Sequence, residues 1–140
     1  MCDANTAGCD ALDSSWRIQC EVSARGFDWP DITGVLAKVR EELDEVESAW
    51  DDGDREGAAR ELGDLLFAAV NLGRFLGAHP GEALARTNRR FLTRFSLLED
   101  ELQREGRRVE TCTLKELDTV WERIKKRERC GPESGAKKKP

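Results

Sequence analysis

The sequence predicts an all-α, four-helix-bundle-like domain with flanking N- and C-terminal helices. Three observations predict it. Apolar residues recur at spacings of three and four through most of the 140 residues, the signature of helices with one buried stripe. No segment alternates apolar and polar residues at the period of two that a half-buried strand requires. With 36% of residues charged, 6% aromatic and no Tyr, the composition describes a charged surface around a modest core rather than a β-sandwich.

The elements follow in order. Residues 1–12 and 131–140 lack apolar periodicity, and the second segment is basic, so both are expected to be disordered ends of a helical domain at 13–130. A first helix is expected from about Leu12 to Arg25, stopping at Gly26. The linker Gly26-Phe27-Asp28-Trp29-Pro30 sets two large aromatics among helix-breaking residues, and its rings are expected to tuck into the core. A second helix, about Asp31 to Trp50, carries Val35, Val39, Leu43, Val46 and Trp50 on one 3.6-residue stripe. Asp51-Asp52-Gly53-Asp54 is a turn with an acceptor side chain ready to cap a third helix, about Arg55 to Leu76. That helix carries Leu62, Leu65, Leu66, Ala69, Leu72 and Phe75, and Gly63 is expected to permit close helix approach. Gly77-Ala78-His79-Pro80 breaks it, with His79 as a loop or cap residue and Pro80 in the first turn of a fourth helix reaching about Glu105. Thr113-Leu114-Lys115-Glu116 forms a capping box that opens a last helix ending near Arg129. Trp29, Phe67 and Phe95 are assigned to the core.

Charge narrows the function. Lys and Arg number 23 against 28 Asp and Glu, a net charge of −5, which argues against nucleic acid or a membrane surface as partner. There is no basic, apolar leader and no membrane-length apolar run, so a cytoplasmic location is expected. The five cysteines, Cys2, Cys9, Cys20, Cys112 and Cys130, are odd in number and include no C-x-x-C pair. Neither a disulfide framework nor a closed zinc site is expected from them. Within the chain, residues 36–66 hold four basic and eleven acidic side chains, while residues 74–94 hold five Arg and one acid. An acidic hairpin followed by an arginine-bearing helix suits a metal and a polyanion held together.

The sharpest feature is Glu41-Glu42-Leu43-Asp44-Glu45, followed across the turn by Glu61-Leu62-Gly63-Asp64. Residues three apart share a helix face, so Glu42 goes with Glu45 and Glu61 with Asp64. Folding the two helices back about Gly53 as an antiparallel hairpin sets Glu45 level with Glu61 and Glu42 level with Asp64. Four carboxylates so placed repel one another unless a cation sits among them. Oxygen donors without His or Cys select a hard divalent ion, Mg²⁺ first, with Mn²⁺ as a substitute. The alternative is a pair of solvated acidic faces. A di-iron site is set aside because it needs Glu-x-x-His pairs, and the chain has one histidine.

The segment Gly26-Phe27-Asp28-Trp29-Pro30-Asp31, the E-E-x-x-E of Glu41 to Glu45, the E-L-G-D-L-L-F of Glu61 to Phe67 with Asn71 beyond it, and the T-N-R-R-F-L-T-R-F of Thr87 to Phe95 closely resemble the MazG nucleoside triphosphate pyrophosphohydrolases. The likeness is to their C-terminal domain and runs from about Ser15 to Arg129. It implies an all-α NTP pyrophosphatase fold, a homodimer or homotetramer, and Mg²⁺-dependent cleavage of (d)NTP between the α- and β-phosphates to (d)NMP and pyrophosphate, as nucleotide-pool house-cleaning. Carried onto this chain, the metal ligands are Glu42, Glu45, Glu61 and Asp64, with Glu41 as a supporting catalytic acid. Lys38 meets phosphate oxygens, or else pairs with Glu42 one turn on. Arg90 and Arg94, four apart, clamp the triphosphate with forked donors, although Arg90 stands where the family usually has Lys and Arg60 where many relatives have an acid. Trp121 stacks on the base or packs in the core, and Asn71 bonds sugar or base. Two other functions are kept beside this one: a phosphoribosyl-ATP pyrophosphohydrolase, and a nucleotide-binding helical module without turnover.

Overall fold

The computed structural model describes residues 7–131, by backbone alone for 7–10. Five helices account for nearly all of it: α1 (Ala7–Ala24), α2 (Ile32–Asp51), α3 (Arg55–Phe75), α4 (Pro80–Arg104) and α5 (Leu114–Arg129), with one 3₁₀ turn at Val109–Thr111 before α5. The described residues contain no strand, as the periodicity predicts. Helix α1 starts at Ala7 rather than near Leu12, so residues 7–12 are helical, while 1–6 and 132–140 lie outside the described residues. Cys20, Cys112 and Cys130 are free thiols. Cys2 lies outside the described residues, and the side chain of Cys9 is among those not described.

The helix ends obey local chemistry. Asp31, in extended backbone, accepts from the Thr33 amide at 2.7 Å and opens α2. Gly53 turns the chain at φ +76°, a conformation that costs glycine little. Asp54 then caps α3 by accepting from the Gly57 amide at 2.8 Å, and a Cβ on Gly57 would lie 2.2 Å from that carboxylate, so the cap needs the glycine. His79 is the cap residue expected: its Nδ1 accepts from the Gly81 amide at 3.2 Å as α4 begins. The Thr113 capping box forms in both directions, with Thr113 N–H donating to Glu116 at 2.8 Å and Glu116 N–H to Thr113 Oγ1 at 3.4 Å.

The described residues divide after Ala85 into two compact units. In the first, α2 and α3 form a hairpin and α1 packs on α3. Val35, Ala68 and Val70 are its buried apolar residues, joined by two buried polar ones, Gln19 and Glu42. In the second, Leu98 and Leu102 of α4 meet Val120 and Ile124 of α5, with Phe95, Val109, Leu117 and Trp121 packed around them.

Several core expectations are corrected. Leu43, Trp50, Leu62 and Leu66 are exposed, and Phe27, expected to tuck inward, is 82% exposed. Trp29 and Phe67 are also largely exposed. The physical reason is that a unit of three helices has too little interior for every apolar side chain on their stripes. Trp50 instead lies beneath the Arg55 guanidinium, 3.7 Å from the ring centroid. Gly63 does not mediate helix approach: nothing lies within 4 Å of a Cβ built there. Phe95 does pack on its core, as expected.

Candidate active site

On α2 the inward face comprises Val35, Val39, Glu42, Val46 and Ala49, an i, i+4, i+7, i+11, i+14 series in which a glutamate occupies a core position. Glu42 is only 4% exposed. Its Oε1 pairs with the Lys38 ammonium one turn back, while Oε2 is buried without any hydrogen-bond partner. A carboxylate oxygen left so is costly, on the order of 1–3 kcal/mol or more, unless a cation or donor takes it.

Carboxylate oxygens of Glu42, Glu45 and Glu61 all lie within 4.8 Å of one another. The hairpin therefore brings α3 Glu61 to α2 Glu45, at the level the antiparallel register predicts. Some loss of hydration at the exposed Glu45, reinforced by the neighbouring carboxylates of Glu42 and Glu61, raises its pKa above the usual range. Three crowded carboxylates, one with an orphaned buried oxygen, fit a hard divalent cation with oxygen ligands. Asp64 falls outside this tight group but lines the same cavity.

That cavity encloses about 800 Å³, within the usual range for small-ligand sites. Lys38, Glu42, Glu45 and Asp64 form its charged wall, Phe27, Trp29 and Phe67 contribute rings, and Gln19, Asn71, Asp28 and Arg74 supply polar edges. The Trp29 ring rests against Gly34 of α2, where a Cβ would come within 2.4 Å of Cε3. The linker that carries Trp29 is stapled down by Arg74. Its Nη1 donates to Ser23 Oγ at 3.0 Å and to Asp28 Oδ2 at 2.9 Å, and Nη2 also binds Asp28. Asp28 accepts further from Ser23 Oγ at 2.6 Å and from the Trp29 amide at 2.8 Å. Arg74 first and Ser23 second hold the Asp28 carboxyl down to about 2. The same guanidinium donates to Asn71 Oδ1, at 3.1 Å from Nε and 2.9 Å from Nη2.

Of the residues singled out by sequence, Lys38, Glu42, Glu45, Asp64 and Asn71 line one cavity, and Glu61 joins its acidic group. Glu41 is exposed and pairs with Lys38 at 3.0 Å. The ammonium of Lys38 is thus shared by two glutamates, Glu42 foremost, which raises its pKa. Arg90, Arg94 and Trp121 belong to the second unit. There Arg94 is bound to Glu128, at 2.8 Å from Nε and 2.7 Å from Nη2. Trp121 packs on the α4–α5 core, its ring centroid 5.2 Å from that of Phe91. Sequence reasoning missed Gln19, Asp28 and Arg74 as cavity residues. Asp28 was detectable as the one charged residue inside the aromatic turn, whereas nothing in the α1 pattern marks Gln19.

Comparison with known proteins extends these observations. The family profile for phosphoribosyl-ATP pyrophosphohydrolase matches residues 24–91. A nucleoside triphosphate pyrophosphohydrolase/pyrophosphatase MazG of Thermotoga maritima is 42% identical over 115 residues, 82% of this chain and 44% of that protein. A nucleoside triphosphate pyrophosphohydrolase of Escherichia coli K12 is 37% identical over 120 residues, 84% of this chain and 46% of that protein. A phosphoribosyl-ATP pyrophosphatase of Methanopyrus kandleri is 39% identical over 61 residues, 44% of this chain and 61% of that protein. The chain thus spans less than half the length of the first two relatives. With five helices, no strand among the described residues and facing acidic segments on α2 and α3, it is an all-α, MazG-like domain.

Proposed function

We propose that this chain is a Mg²⁺-dependent nucleoside triphosphate pyrophosphohydrolase that cleaves (d)NTP between the α- and β-phosphates, releasing (d)NMP and pyrophosphate in nucleotide-pool house-cleaning. One observation carries the proposal: Glu42, Glu45 and Glu61 crowd their oxygens within 4.8 Å, and Glu42 keeps one of them buried and unpartnered. Their all-oxygen donor set favours Mg²⁺, with Mn²⁺ as a substitute, and Asp64 completes the ligand set across the cavity wall. Held by these carboxylates, a divalent ion would supply neutralisation of phosphate charge and acidification of a water molecule.

The chain's own residues do the rest. Glu45 orients the attacking water and accepts its proton. Lys38 leaves Glu42 for phosphate oxygens, while Glu41 keeps that ammonium in place. Arg90 and Arg94 supply forked donors to the leaving pyrophosphate. Asn71 bonds the sugar or base, and Trp121 is proposed as a further ring for the base. The exposed Leu43, Leu62, Leu66, Phe91 and Leu92 support a homodimer or homotetramer, because apolar surface of this extent favours self-association. Neither nucleic acid nor membrane is a proposed partner; no described helix is long and apolar enough to cross a membrane. The proposed location is the cytoplasm.

The match to the phosphoribosyl-ATP pyrophosphohydrolase profile over residues 24–91 favours a second substrate with the same scissile bond. Phosphorus NMR of the protein with Mg²⁺, a panel of NTPs and dNTPs plus phosphoribosyl-ATP, and an EDTA control tests both. Pyrophosphate and monophosphate that disappear on chelation support the proposal, and turnover of phosphoribosyl-ATP alone selects the second substrate. Free phosphate with diphosphate overturns the choice of bond. No turnover of any nucleotide leaves a binding module.

A further inference from the structure

We propose that Gln19 reads the nucleobase, accepting a hydrogen bond from an amino-bearing edge such as that of adenine or cytosine. This rests on the nucleotide reading of the cavity and adds a specificity-determining residue to it. Gln19 lies on α1, is 3% exposed and borders the cavity. Its Nε2 donates to the Phe67 carbonyl oxygen at 2.9 Å. A carbonyl can only accept, so this bond fixes which end of the amide is which. The other end, Oε1, is an acceptor buried without a partner. Buried acceptors are seldom left so in native proteins, and the cavity beside it is where a donor can arrive.

Asn71, one turn beyond Phe67 on α3, is fixed in the complementary sense. Arg74 donates to its Oδ1 through both Nε and Nη2, which leaves Nδ2 as the donor end of a residue that lines the cavity. Residues four apart on a helix are neighbours, so the acceptor anchored at Phe67 and the donor of Asn71 border the same cavity one turn apart. An exocyclic amino group beside a ring nitrogen answers both. The rings of Trp29 and Phe67 on the same cavity supply faces for an aromatic heterocycle. The arrangement reads the ligand's hydrogens rather than its charge.

The test is calorimetric binding of non-hydrolysable α,β-methylene triphosphates in Mg²⁺ to the full chain, which requires no turnover. Two matched pairs are compared, adenosine against purine riboside and cytidine against 2-pyrimidinone riboside, which differ by one amino group. Wild type is expected to favour the amino-bearing member of at least one pair by about tenfold or more, because a site built to pair an N–H rejects the analogue lacking it. Gln19→Met is expected to bring that ratio to within about twofold, while inorganic tripolyphosphate binds as before. Gln19→Leu, which likewise removes the acceptor, is expected to lose the preference to the same extent and serves as the second variant if Gln19→Met fails to fold. Equal binding of both members of both pairs to wild type overturns the inference, as does an unchanged ratio in Gln19→Met. Tripolyphosphate binding without any nucleoside contribution overturns it too. Amino-dependent binding with no hydrolysis of the parent triphosphates overturns only the pyrophosphohydrolase reading.

Discussion

The two units of this chain use buried residues in opposite ways. In the second, the buried side chains are hydrocarbon, Leu98, Leu102, Val120 and Ile124, and charge is kept outside in pairs such as Arg94 with Glu128 and Arg107 with Glu116. In the first, two of the five most buried side chains are polar, and Gln19 and Glu42 each keep one oxygen unpartnered. A hydrocarbon core stabilises by removing apolar surface from water. Orphaned buried oxygens do the reverse, and they persist where binding a ligand repays them. Chemistry and stability are thus segregated along this sequence.

Substitutions in each unit should separate the two roles. The largest effect is expected for Glu45→Gln, with turnover falling on the order of 10²–10³-fold. A carboxyl whose folded pKa is raised contributes stability only below its unfolded pKa and loses it as pH rises through the folded one. At neutral pH the metal-free variant should therefore be at least as thermally stable as wild type. A drop in melting temperature together with unchanged turnover would reverse the assignment of this unit to chemistry. Leu102→Ala, at a residue 1% exposed, should behave oppositely and cost about 3 kcal/mol in denaturant unfolding.

Gly34→Ala comes next. The added methyl would lie 2.4 Å from Trp29 Cε3, so the indole must shift at a cost of about 2 kcal/mol, and substrate KM should rise more than kcat falls. The smallest effect is expected for Asp28→Asn. The Asp28 carboxyl is held down to about 2 from 3.8, so its contribution is present above about pH 4 and vanishes as pH falls toward 2. The variant should lose about 1 kcal/mol at neutral pH, and acid titration should close the gap to wild type.

Much of this was legible in the residues. Asp31, Asp54, Pro80 and Thr113 mark helix starts because capping is local chemistry, decided within three residues. The α2–α3 register was legible because the hairpin turn at Gly53 fixes which carboxylates share a level, and the structure brings Glu45 and Glu61 together. The exposed Leu62, Leu66 and Phe27 were not legible as such. Periodicity says that a stripe is apolar and not what covers it, and in a single chain some of these stripes are uncovered. Gln19 escaped notice because its importance lies in a bond to the Phe67 carbonyl 48 positions away, which no local spacing encodes. The network of Arg74, Asp28 and Ser23 is hidden for the same reason.

The ion pairs of Lys38 carry one more consequence, in the language of chemical labelling. An amine attacks an acylating reagent only as the free base, and the two glutamates hold this one protonated. Lys38 should therefore be acylated far more slowly than the exposed Lys115 and Lys126. A cation that engages Glu42 would loosen that grip and quicken the labelling of Lys38, so its acylation rate, read by mass spectrometry, becomes a clock for occupancy of the carboxylates one turn away.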